Sequence, residues 1–242
     1  MQNSESALLS LEEIAKKYDT DKGTAHKSYL SFYESALSPV REAEFNFLEI
    51  GTAYGGSVRM WREYFLNATV FSMEHPRLAE NAKSIFNAKP TQRENVFKSS
   101  DLENTFICIG NSTKESSQSL FDNCSIFVVV DDGDHDAGSQ IVTFLNLFKS
   151  VAPGGLYIIE DIKGPLYTSG SNNFSLICEF LNCFKEVKMC IYSPGVSHRK
   201  FADNNIIASI KIPNSDEDYR SLVESLNNFT LKYFNVKVYN AV

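Results

Sequence analysis

Short apolar runs alternate along the chain with longer segments in which apolar residues recur every three or four positions. Apolar runs bounded by turn residues predict buried strands, and recurrence at three- and four-residue steps predicts helices. The last two predicted strands are expected to pair as an antiparallel hairpin at a sheet edge. The seven predicted strands are 45–51, 69–75, 105–110, 125–132, 156–162, 187–194 and 204–213.

The first five predicted strands are apolar along nearly their whole length, and helical segments lie between them. Strands of this kind form parallel sheets whose two faces are both covered by helices. We therefore predict an α/β fold that is doubly wound, with a mostly parallel seven-stranded sheet and a helical N-terminal extension.

No repeat or low-complexity linker divides the 242 residues. We predict one domain over 1–242, in which 1–42 form a helical cap or lid and 43–242 form the catalytic sheet and helices. Ser10 is placed to cap the first helix. The polar stretch after that helix carries residues that either cover a site or simply pack, and the sequence leaves both interpretations open: Asp21, Lys22, His26, Tyr29 and Tyr33.

The formal net charge is −7, and lysine and arginine form no cluster longer than a pair. Such a surface is unsuited to neutralising many phosphates, so we expect no nucleic-acid partner. No segment approaches the roughly 20 apolar residues of a membrane helix. The N-terminus also lacks the basic and apolar parts of a signal peptide. We expect a cytoplasmic protein without a membrane partner.

The first predicted strand ends in the glycine-rich turn LEIGTAYGGS. Ligands of open α/β sheets bind outside the carboxyl ends of the strands, where glycines allow a close backbone approach. The GxxxGG spacing differs from the GxGxxG of dinucleotide sites, and an acid two residues before the first glycine suits an ammonium or sulfonium ligand. Taken alone, the turn is a weak signal. The predicted cofactor-binding residues here are Glu49, Gly51, Tyr54, Gly55, Gly56 and Ser57.

Further cofactor contacts are predicted at the ends of other strands. Glu74 ends the second strand and can bind two ribose hydroxyls with its two oxygens, although a solvated strand-end acid is the alternative. Asn111 and Ser112, after the third strand, are candidates for the adenine end. Asp131, at the end of the fourth strand, is expected on the cofactor side.

These motifs carry a family resemblance. LEIGTAYGGS with Glu74, DDGDH after the fourth strand, PGGLYIIEDI at the fifth and the upstream DKGTAHKSYLSFYE resemble class I S-adenosylmethionine-dependent methyltransferases. Within that class they resemble the metal-dependent sugar O-methyltransferases of macrolide and rhamnosyl tailoring and their cephalosporin-hydroxylase-like relatives. The resemblance covers about residues 15–165 and implies a Rossmann-like methyltransferase fold. The family usually has serine at the position of Asp134 and aspartate at that of Glu74.

The acidic residues after the fourth and fifth strands suit the chemistry that this resemblance implies. Asp132, Glu160 and Asp161 would share Mg²⁺ or another hard divalent cation if the two strands are adjacent. An imidazole with an ordinary pKa of about 6.5 can accept a hydroxyl proton, and the resemblance likewise makes His135 the catalytic base. The alternative for DDGDH is a run of turn formers that caps the next helix.

We therefore predict an S-adenosylmethionine- and Mg²⁺-dependent O-methyltransferase that acts on a hydroxyl of a sugar or glycosylated small molecule. A catechol or phenol O-methyltransferase is the main alternative. A nicotinamide-dependent oxidoreductase and a non-catalytic binding domain are less favoured. The acceptor's identity and the oligomeric state, a homo-oligomer included, stay open.

Overall fold

The computed structural model describes residues 8–23, 29–122, 124–163, 171–192 and 205–234. Within these ranges, nine strands form one sheet. The strands are β1 (Asn46–Ile50), β2 (Thr69–Glu74), β3 (Lys89–Pro90), β4 (Val96–Lys98), β5 (Thr105–Ile109), β6 (Ile126–Asp131), β7 (Val151–Lys163), β8 (Val187–Tyr192) and β9 (Asn205–Lys211).

The strand order across the sheet is β3-β4-β5-β2-β1-β6-β7-β9-β8. The five central strands, from β5 to β7 in this order, run parallel to one another. The two strands at each edge are antiparallel to their neighbours. The order changes direction between β1 and β6, and a crevice at such a switch point is where open α/β sheets bind ligands.

All seven predicted strands are present, and β8 pairs with β9 as an antiparallel hairpin. The predicted number of seven strands is wrong, however, because the described part of the sheet has nine. The two additional strands, β3 and β4, contain only two and three residues, and four of the five side chains are exposed or half-buried. These strands are defined by backbone pairing, of β3 with β4 and of β4 with β5, so the sequence carries no apolar pattern that could have predicted them.

Seven α-helices cover the sheet in the described residues. The first begins with a capping box, in which Ser10 Oγ accepts from the Glu13 amide and Glu13 accepts from the Ser10 amide, as the sequence predicted for Ser10. None of the helices in the described ranges has both the length and the apolar character needed to cross a bilayer. They are α1 (Leu11–Tyr18), α2 (Leu30–Leu37), α3 (Gly56–Tyr64), α4 (Ala79–Ile85), α5 (Ala137–Leu147), α6 (Ser171–Leu181) and α7 (Asp216–Phe234).

Two apolar cores lie on opposite faces of the sheet. Leu48 and Ile50 of β1 point into one core, which α5, α6 and α7 complete. Phe47 of the same strand points into the other, which α1 to α4 complete. Successive side chains of a strand alternate between faces, so a strand buried on both sides reads as a continuous apolar run. The helices α1 and α2 of the predicted cap are therefore part of a core.

Candidate active site

The glycine-rich turn after β1 depends on two glycines with positive φ. Gly51 has a φ of 97°, and a Cβ there would lie 2.3 Å from the carbonyl oxygen of Asp132. Gly55 has a φ of 76° and precedes the first residue of α3. L-residues with side chains rarely adopt this conformation. The turn consequently passes close beside the residue that follows β6.

Glu74 fixes the turn to the end of β2. Its Oε2 accepts from the amides of Thr52 and Ala53 at 3.2 and 3.3 Å, and its Oε1 accepts from the His75 amide at 2.6 Å. The side chain is almost fully buried. It is thus an ordered wall of the crevice, in contrast to the alternative of a solvated strand-end acid.

A cleft of about 420 Å³ opens at this edge of the sheet. Its size is typical of a site for a small molecule. It brings together residues from the ends of four parallel strands that lie far apart in the sequence. Among the predicted cofactor-binding residues, those that line it are Gly51, Glu74, Asn111, Ser112 and Asp131.

Other predicted cofactor-binding residues lie outside that lining. The Tyr54 side chain is 89% exposed, and Gly55 and Gly56 begin α3. Glu49 is fully buried beneath the turn, where it accepts from Ser57 Oγ at 2.8 Å and from Trp61 Nε1 at 3.0 Å. Burial raises the pKa of Glu49 above its usual value. The Glu49 carboxylate therefore points to buried partners.

Asp131 is a buried carboxyl at the bottom of the cleft. Its Oδ1 accepts from the Gly133 amide at 3.3 Å, and its Oδ2 accepts from the Tyr157 hydroxyl at 3.2 Å. Burial raises the pKa of Asp131 to about 7, although these two hydrogen bonds act in the opposite direction. Asp131 lines the cleft, and its role in cofactor binding stays a prediction.

Three groups beside the cleft converge on one point. β6 and β7 are adjacent and parallel, which was the condition for bringing their acids together. Asp132 Oδ1 lies 3.8 Å from His135 Nε2, and Asp161 Oδ2 lies 3.6 Å from the same nitrogen. One ligand atom from each of the three residues lies within 4.8 Å of the others.

The backbone at this point is unusual. His135 has a φ of 59° and Asp161 a φ of 51°. Non-glycine residues in this region cost on the order of 1–3 kcal/mol and concentrate at functional sites. Two of the three converging side chains are therefore presented from strained positions.

The spacing of these atoms fits a divalent cation. Octahedral ligands bound at about 2.1 Å lie about 3.0 Å apart when adjacent and about 4.2 Å apart when opposite. The measured separations from His135 Nε2, 3.6 and 3.8 Å, fall between these values. Two carboxylates and an imidazole are also donors that divalent metals accept. Asp132 and Asp161 could hold such an ion with a small adjustment.

The third predicted metal ligand contacts two residues of the N-terminal region. Glu160 is fully buried, and its Oε1 accepts from the Tyr33 hydroxyl and lies 2.7 Å from Lys22 Nζ. Burial and the Glu160 charge raise the pKa of Tyr33 well above its usual value, so its hydroxyl remains a donor. The role of Glu160 as a metal ligand stays a prediction.

Lys22 is the main feature of the site that the sequence did not reveal. Its ammonium is fully buried and lies 2.6 Å from Asp132 Oδ2, 2.7 Å from Glu160 Oε1 and 3.4 Å from Glu49 Oε1. Burial opposes the charge, but the carboxylates of these three residues outweigh it and raise the pKa of Lys22 well above its usual value. Lys22 is therefore a permanent cation.

The sequence left open whether Tyr29 and Tyr33 cover a site or simply pack. Both are buried, and both contact acidic residues of the site. The Tyr29 hydroxyl donates to Asp161 Oδ1 at 2.6 Å, and the Tyr33 hydroxyl donates to Glu160. Burial, reinforced by the Asp161 charge, raises the pKa of Tyr29. His26, from the same stretch, lies outside the described residues.

The remaining acids of DDGDHD are turn and cap residues. Asp134 Oδ1 accepts from the Asp136 amide at 3.1 Å. Asp136 is the N-cap of α5 and accepts from the Gly138 and Ser139 amides at 3.0 and 3.2 Å. His135 Nδ1 is buried and has no hydrogen-bond partner among the described residues. Asp134 and Asp136 thus act as turn formers and helix cap, which was the alternative interpretation of DDGDH. That interpretation does not account for Asp132 and His135.

Solved structures with this fold include the MycE methyltransferase of mycinamycin biosynthesis in complex with Mg, SAH and mycinamycin VI. The TM-score is 0.61 at 20% identity, covering 87% of this chain and 57% of that one. An O-methyltransferase from Bacillus cereus, in complex with SAH, gives a TM-score of 0.54 at 16% identity over 84% of this chain and 90% of that one. The chain has the Rossmann-like methyltransferase fold.

Sequence relatives of this methyltransferase-fold chain are sugar O-methyltransferases. An 8-demethyl-8-alpha-L-rhamnosyl tetracenomycin-C 2'-O-methyltransferase from Streptomyces olivaceus is 29% identical over 63% of the chain. A demethylmacrocin O-methyltransferase from Streptomyces fradiae is 26% identical over 65%. The resemblance stated from the motifs is thereby confirmed.

The match is partial in both directions. The aligned region spans 38% and 37% of the length of these two relatives. No family model matches the sequence. The activity of the whole protein is therefore a matter for the proposal below.

Proposed function

We propose that this protein is an S-adenosylmethionine- and divalent-metal-dependent O-methyltransferase that acts on a hydroxyl of a sugar or glycosylated small molecule. One observation carries the proposal: Asp132, His135 and Asp161 converge to within 4.8 Å beside the cleft. A cofactor cleft that adjoins a hard cation site and a base is what methyl transfer to a weakly acidic hydroxyl requires.

In this proposal the cofactor lies in the cleft between the ends of β1, β2 and β5. The Glu74 carboxylate, already oriented by three backbone amides, binds the ribose hydroxyls. Asn111 and Ser112 contact the adenine end, where Asn111 Oδ1 accepts from the Thr113 amide at 3.0 Å and orders the loop. Gly51 lets the backbone approach the cofactor closely. Asp132 lines the same cleft, so a cofactor bound there would supply its methyl group beside the acidic residues.

The acceptor hydroxyl is placed by Asp132 and Asp161. A bound divalent cation would lower the pKa of that hydroxyl. His135 Nε2 takes the hydroxyl proton as the acceptor oxygen attacks the methyl carbon. The carbon–sulfur bond breaks and sulfur keeps its electrons, so the products are the methyl ether, the thioether cofactor and a protonated imidazole.

The names of the relatives support the acceptor class. The Streptomyces olivaceus relative is described as a rhamnosyl 2'-O-methyltransferase, and a second relative from that organism as a 3'-O-methyltransferase of a methoxy-rhamnosyl compound. The MycE complex contains Mg and SAH. A sugar hydroxyl is therefore preferred here over a catechol. The cytoplasmic location, the homo-oligomer and the single domain stay predictions.

Binding experiments test the proposal most directly. Thermal shift with S-adenosylmethionine, S-adenosylhomocysteine and NAD, each with Mg²⁺ or EDTA, should show stabilisation by the first two compounds. A ligand at 100 times its Kd stabilises a protein by about 2.7 kcal/mol. Stabilisation by NAD alone would favour the oxidoreductase alternative and contradict the proposal.

An acceptor panel separates the two methyltransferase alternatives. Rhamnosyl glycosides and simple catechols should be compared as acceptors, with methyl transfer followed by mass spectrometry in Mg²⁺ and in EDTA. We expect transfer to a glycoside that EDTA abolishes. Transfer to catechols alone would favour the phenol-type alternative, and full turnover in EDTA would reject the metal requirement.

A further inference from the structure

Lys22 is a buried cation that the proposed reaction does not use. It comes from the segment between α1 and α2, whereas the carboxylates around it come from β1, from β7 and from the end of β6. Lys22, Glu49 and Glu160 have no exposed side-chain surface. A buried ion pair contributes little net stability, so its presence calls for an explanation other than stability.

The two carboxylate oxygens of Asp132 face different partners. Asp132 Oδ2 pairs with Lys22, whereas Asp132 Oδ1 lies on the side of His135 Nε2. Glu160 Oε1 pairs with Lys22 and accepts from Tyr33. The ammonium therefore determines which carboxylate oxygen of Asp132 faces the converging point.

Tyr29 acts on Asp161 in the same way. Its hydroxyl donates to Asp161 Oδ1, and Asp161 Oδ2 lies 3.6 Å from His135 Nε2. Thus Lys22 contacts two of the acids near the ends of β6 and β7, and Tyr29 and Tyr33 contact one each, although all three residues belong to one short stretch of the N-terminal region.

We propose that Lys22 is a positioning residue of the metal site. It pairs with Asp132 Oδ2 and so holds Asp132 with Oδ1 facing the ion. This inference rests on the proposed function. Groups that orient metal ligands in this way are worth about 10- to 100-fold in metal affinity.

A lysine that competes with the metal ion would have the opposite effect on metal affinity. If Lys22 only competed with a metal ion for Asp132, its removal would leave more negative charge around the ion and tighten binding. The two roles therefore predict opposite changes in metal affinity. A purely structural lysine would change stability and leave the affinity of the folded protein unaltered.

The test measures equilibrium binding of Mn²⁺ to the full chain by electron paramagnetic resonance, without turnover. Lys22→Met should raise the Kd for Mn²⁺ about 10- to 100-fold. Lys22→Arg, which retains the charge, should recover part of the loss. Lys17→Met is the matched control, because it removes a more exposed ion pair with Glu63 near the end of α1, five residues before Lys22. An unchanged or lower Kd for Lys22→Met overturns the inference.

Two further variants keep the test decisive if Lys22→Met folds poorly. Lys22→Gln, which is polar but uncharged, should bind Mn²⁺ as weakly as Lys22→Met, and Lys22→Met/Glu49→Gln, in which the charge change is balanced, should still bind weakly. Binding by either variant as tight as that of the wild type overturns the inference. Circular dichroism establishes that each variant is folded.

The proposed function fails in a different way. If the wild type does not bind Mn²⁺, or if Asp132→Asn binds it as well as the wild type, the metal site itself is rejected, and the role of Lys22 with it. If the wild type binds Mn²⁺, Asp132→Asn does not, and Lys22→Met equals the wild type, only the role of Lys22 is rejected.

Discussion

Two consecutive aspartates at the end of β6 differ completely in environment. Asp131 is buried against the Tyr157 hydroxyl with a pKa raised to about 7, whereas Asp132 pairs with Lys22 and reaches toward His135. Neighbouring residues of a strand point to opposite sides. One short motif can therefore serve a cofactor with one carboxyl and a metal ion with the next.

Replacing His135 tests whether it is the base or a metal ligand. Because a positioned base contributes about 10²- to 10⁴-fold, His135→Ala should reduce kcat by that factor while S-adenosylhomocysteine and Mn²⁺ still bind. Turnover assays and calorimetry measure the two effects. A loss of Mn²⁺ binding as well would make His135 a ligand, and unchanged kcat would remove it from the mechanism.

Asn104→Ala is a suitable control for that variant. Asn104 also has a positive φ, 49°, but it is exposed in the turn before β5. The alanine therefore replaces a residue in a similar backbone conformation away from the cleft. Its kcat should equal that of the wild type.

Gly51→Ala should destabilise the protein by about 2–4 kcal/mol, since the new Cβ meets the Asp132 carbonyl at a strained φ. It should also weaken cofactor binding, because the turn must shift. Urea denaturation and calorimetry with S-adenosylhomocysteine measure these effects. Gly138→Ala in α5 meets only a side-chain oxygen at 3.1 Å and should change stability by less than about 1 kcal/mol. Equal effects of the two variants would contradict the steric argument.

The sequence was sufficient to nominate Asp132, His135 and Asp161, because Asp132 and His135 follow the apolar run of β6 and Asp161 lies near the end of that of β7. It could not show that Lys22 joins them, since a single lysine 110 positions away has no pattern of its own. The sequence also could not show which groups Glu49 contacts. Because β1 is buried on both faces, the position of Glu49 in the strand does not reveal the partners of its carboxylate.

At the scale of elements, the N-terminus of α5 holds the turn that presents His135. Asp136→Ala removes the side-chain acceptor for two amides and should cost about 0.5–2 kcal/mol in the free energy of unfolding. Asp136→Ser retains an acceptor and should recover most of it. Urea denaturation measures both variants. If serine and alanine destabilise equally, the cap is not the cause.

Strand assignments succeeded where burial produced a pattern and failed where pairing alone defines the strand. The five parallel strands and the β8–β9 hairpin are apolar runs, whereas β3 and β4 are short and largely exposed. The fifth predicted strand begins at 156, after the segment PGG at 153–155. In the structure PGG lies inside β7, which begins at Val151 and has an irregular register with β6.

At the scale of the whole molecule, one core depends on a cluster of aromatic rings around Phe144. This residue contacts Phe148, Tyr157, Phe180 and Phe184, and it is fully buried. Phe144→Ala should therefore cost about 3–5 kcal/mol in the free energy of unfolding.

Phe234→Ala is the comparison, because that ring is 37% exposed and its loss should cost less than about 1 kcal/mol. Chemical denaturation followed by fluorescence and by circular dichroism measures both. Transitions that do not coincide would show that the two faces of the sheet unfold separately.

The long-range ion pairs of Lys22 also constrain the order in which parts of the protein can fold during synthesis. Asp132 follows Lys22 by 110 positions, so at about 5–20 residues per second the lysine leaves the ribosome about 5–20 s earlier. Burying an ammonium without its partners is costly. Lys22 can therefore take its buried position only after the strands that carry its carboxylate partners have been synthesised.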